Sequence, residues 1–439
     1  MAKQVSLGQG VSSVLFWSLV SAAFIGPGTV TTAARAGADF QLTLLWALLF
    51  STLATILLQE AAARASIASR KRLGEIIALK YPNEIGENAS LLLFLAVSFG
   101  CAAYQAGNLL GAMSGILLLT SWHPKLVLLL IGLFCASMLW VGNIKFIART
   151  LGIVVALMGV LFVYVAMQTD NYFYNVLEAS IIPSFPPNSA LLIISLIGTT
   201  IVPYNLFLAM GISQGQSISE MRWGVGIAVL FGGIISMCIL IVGTSVNDEF
   251  SFENLATAIA GQSAQWAAYF FAFGLFAAGL SSAITAPLAA AITAQTLFQK
   301  SGLPNAQEWS SKGLYFRLVW GVVLIIGLLF SLFDVQPIPA IILAQAINGV
   351  LLPIVAIFLL LVVNDIRLFP DGYTNTFTVN LLMLIVVGVA CFLGLYNLYK
   401  ALASIIASPL TTHQVVVSIS IATFAILAWV IWRIFVSRR

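Results

Sequence analysis

Charge is scarce in this chain. Asp and Glu number 15 and Lys and Arg 19 among 439 residues, 8% in all. A soluble globular domain carries about 25%, so that class is excluded. Histidine is nearly absent, with only His123 and His413, both near the outer ends of apolar segments. The four cysteines, Cys101, Cys135, Cys238 and Cys391, lie inside apolar runs without C-x-x-C spacing. They read as structural thiols, which excludes a disulfide scaffold and any His/Cys/Glu cluster of metal-ligand spacing. No phosphate-cradling glycine loop occurs, so ATP is not the expected energy source, and no nucleophile-and-base pair points to an enzyme. No cofactor is expected. The net charge of +4 gives no reason to expect a nucleic-acid partner.

What remains is apolar. Hydrophobic residues make up 61% of the sequence and the mean hydropathy is +1.04. This is an all-α integral membrane protein whose first partner is the lipid bilayer. A spanning helix needs about 20 apolar residues, and about twelve such segments can be marked. Met1 to Gly10 is short and polar with no small-residue cleavage site after it, so the first segment reads as a retained span. With the N-terminus inside, sixteen of the nineteen basic residues fall on the inner side and three, Arg35, Lys125 and Lys400, on the outer. Asp170, Glu178, Asp248, Glu249 and Glu253 sit on the outer side. That asymmetry predicts both termini cytoplasmic and a multi-pass protein of the plasma (inner) membrane.

Two segments break their own helix. The first does so at Gly26-Pro27-Gly28-Thr29 and the sixth at Val202-Pro203-Tyr204-Asn205. Proline has no N–H and glycine favours non-helical φ, so each motif interrupts the hydrogen-bond ladder. Irregular backbone at membrane depth is tolerated only inside protein or along a watery cavity. Paired interruptions point to the central site of a secondary transporter. Five spans separate the two breaks, and an odd repeat places its second copy upside down. The expected plan is therefore the LeuT-type 5+5 inverted repeat with discontinuous helices 1 and 6. Residues 1–11 form a cytoplasmic N-terminus, 12–168 the first repeat, 189–363 the second, and 376–436 two additional transmembrane helices. At the breaks, half-helix N-termini near Thr29 and Asn205 favour anions. The opposite half-helix ends offer carbonyls to cations. Neither break carries a carboxylate.

The motifs resemble those of the natural resistance-associated macrophage protein (NRAMP) metal transporters. "GPGTVTTAARAGADF" and "LLWALLFSTLATILLQEAAAR" look like that family's first two helices, where Asp-Pro-Gly-Asn is usual. "GTTIVPYNLFL" resembles its sixth helix, with its Met-Pro-His-Asn. "GLSSAITAPLA" at 279–289 and "LAQAINGVLLP" at 343–353 resemble stretches of the eighth and tenth. The resemblance implies a substrate site built from Gly26, Gly28, Thr29, Thr32, Thr199, Val202, Tyr204, Asn205, Gln345 and Asn348. The departures decide its chemistry. Gly26, Thr29 and Val202 stand where the family's metal-binding Asp, Asn and Met would be, and Tyr204 stands where its proton-linked His would be. A dehydrated divalent ion in a low-dielectric site needs compensating charge, and the soft thioether is gone. No residue is therefore assigned as a certain metal ligand. The expected cargo is a small anion or zwitterion, or a hydrated or monovalent cation. A divalent-metal (Mn, Fe or Mg) transporter with a modified site, a passive channel, and a non-transporting scaffold are the alternatives. For a co-transported ion, Ser281, Ser282, Thr285 and Glu60 are candidates. Glu60 and Arg64, four apart on a helix, also read as a structural ion pair, as do Arg35 and Asp39.

Overall fold

The computed structural model describes residues 25–142, 145–213, 215–299, 307–369, 372–406 and 411–438. Every regular element among them is helical. The first segment is described from Ile25 onward; its part at 12–24 lies outside the described residues. From there it forms α1 (Pro27–Phe40) and turns through a short 3-10 stretch into α2 (Leu45–Ser69). The short α3 (Leu73–Lys80) precedes α4 (Glu84–Leu117), α5 (Pro124–Val141) and α6 (Lys145–Ala166). After α7 (Phe173–Ile181) comes the sixth segment, which is split into α8 (Ala190–Thr200) and α9 (Pro203–Ile212). Then follow α10 (Ile218–Gly243), α11 (Phe252–Gln262), α12 (Gln265–Phe298), α13 (Leu314–Leu332) and α14 (Pro337–Val362). α15 (Phe377–Ile406) and α16 (Thr412–Ser437) complete the chain.

Each of the twelve expected segments thus holds a helix. Ten helical stretches among the described residues are long and apolar enough to span a membrane. One of these, Pro27–Ser69, covers two expected segments, and a shorter apolar helix covers Leu151–Ala166.

Apolar side chains do two jobs. α5, α13 and α16 carry exposed residues such as Leu133, Trp140, Ile325, Leu329, Phe424 and Trp432, the surface a bilayer would cover. The two break-bearing segments turn their residues inward instead: described side chains from Gly26 to Ala34 and from Leu196 to Phe207 are buried. Lipid offers helices no hydrophobic gain on pairing, so close packing decides contact. α4 illustrates this. A Cβ at Gly111 would collide with the ring of Pro27, so this glycine lets α4 lie against the first break.

Polar residues gather where the basic loops lie. Lys80 donates to the Leu361 carbonyl at 2.9 Å and to Asp365 Oδ2 at 3.1 Å. Arg367 Nη2 also reaches Asp365, at 2.7 Å. Asn364 and Asn380 exchange reciprocal amide hydrogen bonds of 2.8 Å, and Asn375 Nδ2 donates to Asn380 Oδ1. Arg64 of α2 donates to Asn375 Oδ1 at 2.6 Å and to the Tyr373 carbonyl, while Arg438 grips Asn364. This seam ties α15 and α16 to the bundle through the connection after α14.

Candidate functional site

The two breaks meet in the interior. Gly26 takes an extended conformation (φ −103°, ψ −177°) and Pro27 opens α1 with a fixed φ and no N–H to strand. Val202 is likewise extended (φ −88°, ψ 114°) ahead of Pro203, as the residue before proline prefers. Its carbonyl accepts the Asn205 N–H at 3.1 Å. Neither α1 nor α9 has a side-chain cap or an acidic residue in its first turn.

Across the breaks, the Thr29 and Thr199 hydroxyls share a hydrogen bond of 2.9 Å, joining α1 to α8. Gln345 of α14 lays its amide over Gly28, where a Cβ would collide with Nε2, and its Oε1 has no hydrogen-bond partner. Glycine at 28 is what lets that amide approach the backbone. Thr199, Val202, Tyr204, Asn205 and Gln345 are all buried, as are Thr29 and Thr32. The Thr32 hydroxyl and both side-chain amide atoms of Asn205 lack partners. Tyr204 stands edge-on to Tyr104 of α4, ring centroids 5.7 Å apart. Tyr104 in turn donates to the Gly198 carbonyl at 2.7 Å.

Other expected site residues go elsewhere. Asn348 Nδ2 donates to Gly100 of α4 at 3.3 Å and to Ala344 within its own helix at 3.2 Å. Gly100 lies eight residues before Asn108, about 12 Å along the helix axis, so Asn348 braces α14 on α4 rather than facing the first break. Of the hydroxyls on α12, Ser282 alone is placed against Gly26: its Oγ lies 3.0 Å from where a Gly26 Cβ would stand. Thr285 donates back to the Ser281 carbonyl at 2.9 Å. Glu60 is held by two arginines, Arg64 and Arg222, each 2.9 Å from Oε1. That bracket links α2 to α10 and, through Arg64, to the connection before α15. The Arg35–Asp39 pair forms at 3.1 Å.

One site residue was not read from the sequence. Asn108 of α4 points its Oδ1 to within 3.9 Å of the missing Gly26 Cβ, and its Nδ2 has no partner. An isolated asparagine in an apolar helix gives no signal by itself. The one hint was its i, i+3 spacing from Gly111, which places both on a single face of α4.

The arrangement is a buried, uncharged polar centre between broken helices, and no group of three or more His, Cys, Asp or Glu side chains able to hold a metal occurs among the described residues. Together with the all-helical LeuT-type architecture, it fits a multi-pass membrane protein of the transporter class. The family model for natural resistance-associated macrophage protein-like proteins matches residues 18–400, and the chain belongs to that family. It is 25% identical over 335 residues to the divalent metal cation transporter MntH of Agrobacterium fabrum, covering 70% of this chain and 71% of that one. It is 23% identical over 296 residues to the MntH of Verminephrobacter eiseniae, covering 63% of this chain and 66% of that relative, just under two thirds. Among solved structures, a manganese transporter of Eremococcus coleocola superposes with a TM-score of 0.72 at 18% identity, covering 96% of this chain and 94% of that one. A nucleobase-cation-symport-1 family transporter in a closed conformation superposes with a TM-score of 0.56 at 16% identity, over 94% and 92% of the two chains. These two likenesses speak for the fold alone.

Proposed function

We propose that this protein is a secondary transporter of the NRAMP type that moves a small solute by alternating access through the paired breaks. The cargo is held by neutral polar groups, not as a dehydrated transition-metal ion. The observation that carries this reading is the set of residues at the breaks. Gly26, Thr29 and Val202 are buried at the two interruptions, the Thr29–Thr199 bond of 2.9 Å couples the two half-helices, and none of them supplies a negative charge or a sulfur. A bare divalent ion there would lack the charge that offsets its desolvation. The two halves of a broken helix can tilt separately, which suits a site that must open to each side in turn. The charge asymmetry of the loops supports an orientation with both termini in the cytoplasm.

The test is uptake into proteoliposomes holding the purified full chain. Saturable flux of a non-transition-metal solute is expected, with no saturable Mn²⁺ uptake at micromolar concentration. Robust Mn²⁺ uptake that disappears in Gln345→Ala would overturn this reading.

A further inference from the structure

We infer that α7 is an interfacial helix. It lies in the lipid headgroup layer on the side away from the basic loops and rests on the bilayer without crossing it. There it ties the turn between α1 and α2 to the membrane surface. This placement holds whatever the cargo is.

The sequence makes α7 short and three-sided. It holds 9 residues, too few to span a bilayer. Pro183 ends it, and Ile182 before the proline is already extended (φ −91°, ψ 110°). At about 3.6 residues per turn its side chains sort into three stripes. Val176 and Ala179 are half-buried and pack on the core. Asn175 and Glu178 are exposed and line an open polar cleft with Asn171 and Gln41. Phe173, Leu177 and Ile181, one turn apart in succession, form the third stripe and are 81%, 48% and 62% exposed. Tyr172 and Tyr174 stand exposed beside it. An apolar stripe of this kind is normally turned to a core, and left outside it marks a contact surface.

What covers the stripe follows from the height of α7. α6 holds 22 residues, a length of about 33 Å, enough to cross a hydrocarbon layer of about 30 Å. Its end at Ala166 therefore stands at a membrane boundary, and only a short link separates it from Phe173. The other neighbours of α7 are also the ends of spanning segments. α7 packs on the 3-10 stretch (Gln41–Leu44) that joins α1 to α2. Trp46, in the first turn of α2, donates its indole N–H to the Ser184 carbonyl at 2.9 Å, and its ring lies 4.9 Å from that of Phe185. Aromatic side chains favour this level, with the ring in the apolar layer and a tyrosine hydroxyl among the headgroups. Glu178 is the one charged residue of α7, so buried apolar area, and not attraction to anionic lipid, holds the helix in place.

The experiment places nitroxide spin labels on the full chain in nanodiscs of zwitterionic lipid. Cys238→Ala removes the one native cysteine that is not buried. Labels then go in singly at Phe173→Cys, Leu177→Cys, Ile181→Cys and Asn175→Cys. Collision with oxygen reports lipid, and collision with a water-soluble nickel chelate reports water. At 173, 177 and 181 the oxygen-to-nickel ratio should exceed that at 175 by at least about fivefold. All four positions are exposed, so the labels leave the core untouched, and each of the three stripe positions is a separate comparison with 175. Equal ratios at all four positions would show that water covers the stripe and would overturn the inference. Low collision rates with both agents on the stripe, with spin–spin broadening between labels, would mean that a second copy covers it, and would overturn it as well.

Discussion

At Gly26, one missing side chain sets the chemistry of the site. A Cβ there would lie 3.0 Å from Ser282 Oγ, tight but against a side chain that can turn aside. A Cβ at Gly26 is therefore tolerable. The triple variant Gly26→Asp, Thr29→Asn, Val202→Met should gain Mn²⁺ affinity of at least about tenfold, roughly 1.4 kcal/mol, by calorimetry. An unchanged affinity would place any cation site elsewhere. These three positions were legible because each sits in a motif of four consecutive residues whose backbone break is written in glycine and proline. Asn108 was not, because its role depends on which face of α4 meets the break. Asn348, placed at the site by the resemblance, bonds the Gly100 carbonyl where α4 crosses α14, a contact that apolar run length does not reveal.

Between elements, α14 packs closely on α1 and α8 at the site. A Cβ at Gly28 would meet only the end of the Gln345 side chain, which can swing away. A Cβ at Gly198 would collide with the Gln345 backbone carbonyl and lie 2.7 Å from the Gly349 nitrogen. Backbone cannot yield without moving the helix. Gly198→Ala should therefore lower stability by about 1–3 kcal/mol, and Gly28→Ala by clearly less, as read from thermal unfolding in detergent. Equal effects would mean that α8 and α14 are free to separate. The helices themselves were readable from apolar run length alone, and their mutual approach was not.

For the whole molecule, the seam after α14 makes stability depend on acid. Burial by itself would raise the Asp365 carboxyl, but the Arg367 guanidinium and the Lys80 ammonium outweigh it and hold the carboxyl at about 2. The folded value lies below the ordinary carboxylate value of 3.8, so the folded state favours the ionised form. The resulting stability is fully present above about pH 4 and lost as the pH falls toward 2. The melting temperature should decline across that window, and Asp365→Asn should flatten the decline. An unchanged slope in the variant would show that other carboxylates govern acid unfolding. Lys80→Met removes one of two cationic partners of Asp365 and leaves Arg367 in place, so it should cost about 1–3 kcal/mol at neutral pH.

By itself the sequence determined that the chain crosses a membrane many times, that two of its helices break at matching depth, and that no carboxylate stands at either break. Those properties are local: run length, proline and glycine chemistry, and the identity of neighbouring residues. Tertiary structure alone decided which polar groups face the breaks and which helix ends are satisfied. Tyr104 of α4 and Thr55 of α2 occupy the α8 carbonyls, and Asn108, one turn beyond Tyr104 on α4, meets Gly26. Apolar helices show no polar face to read, so the sequence leaves their rotation open, and only close packing of backbone on backbone fixes it.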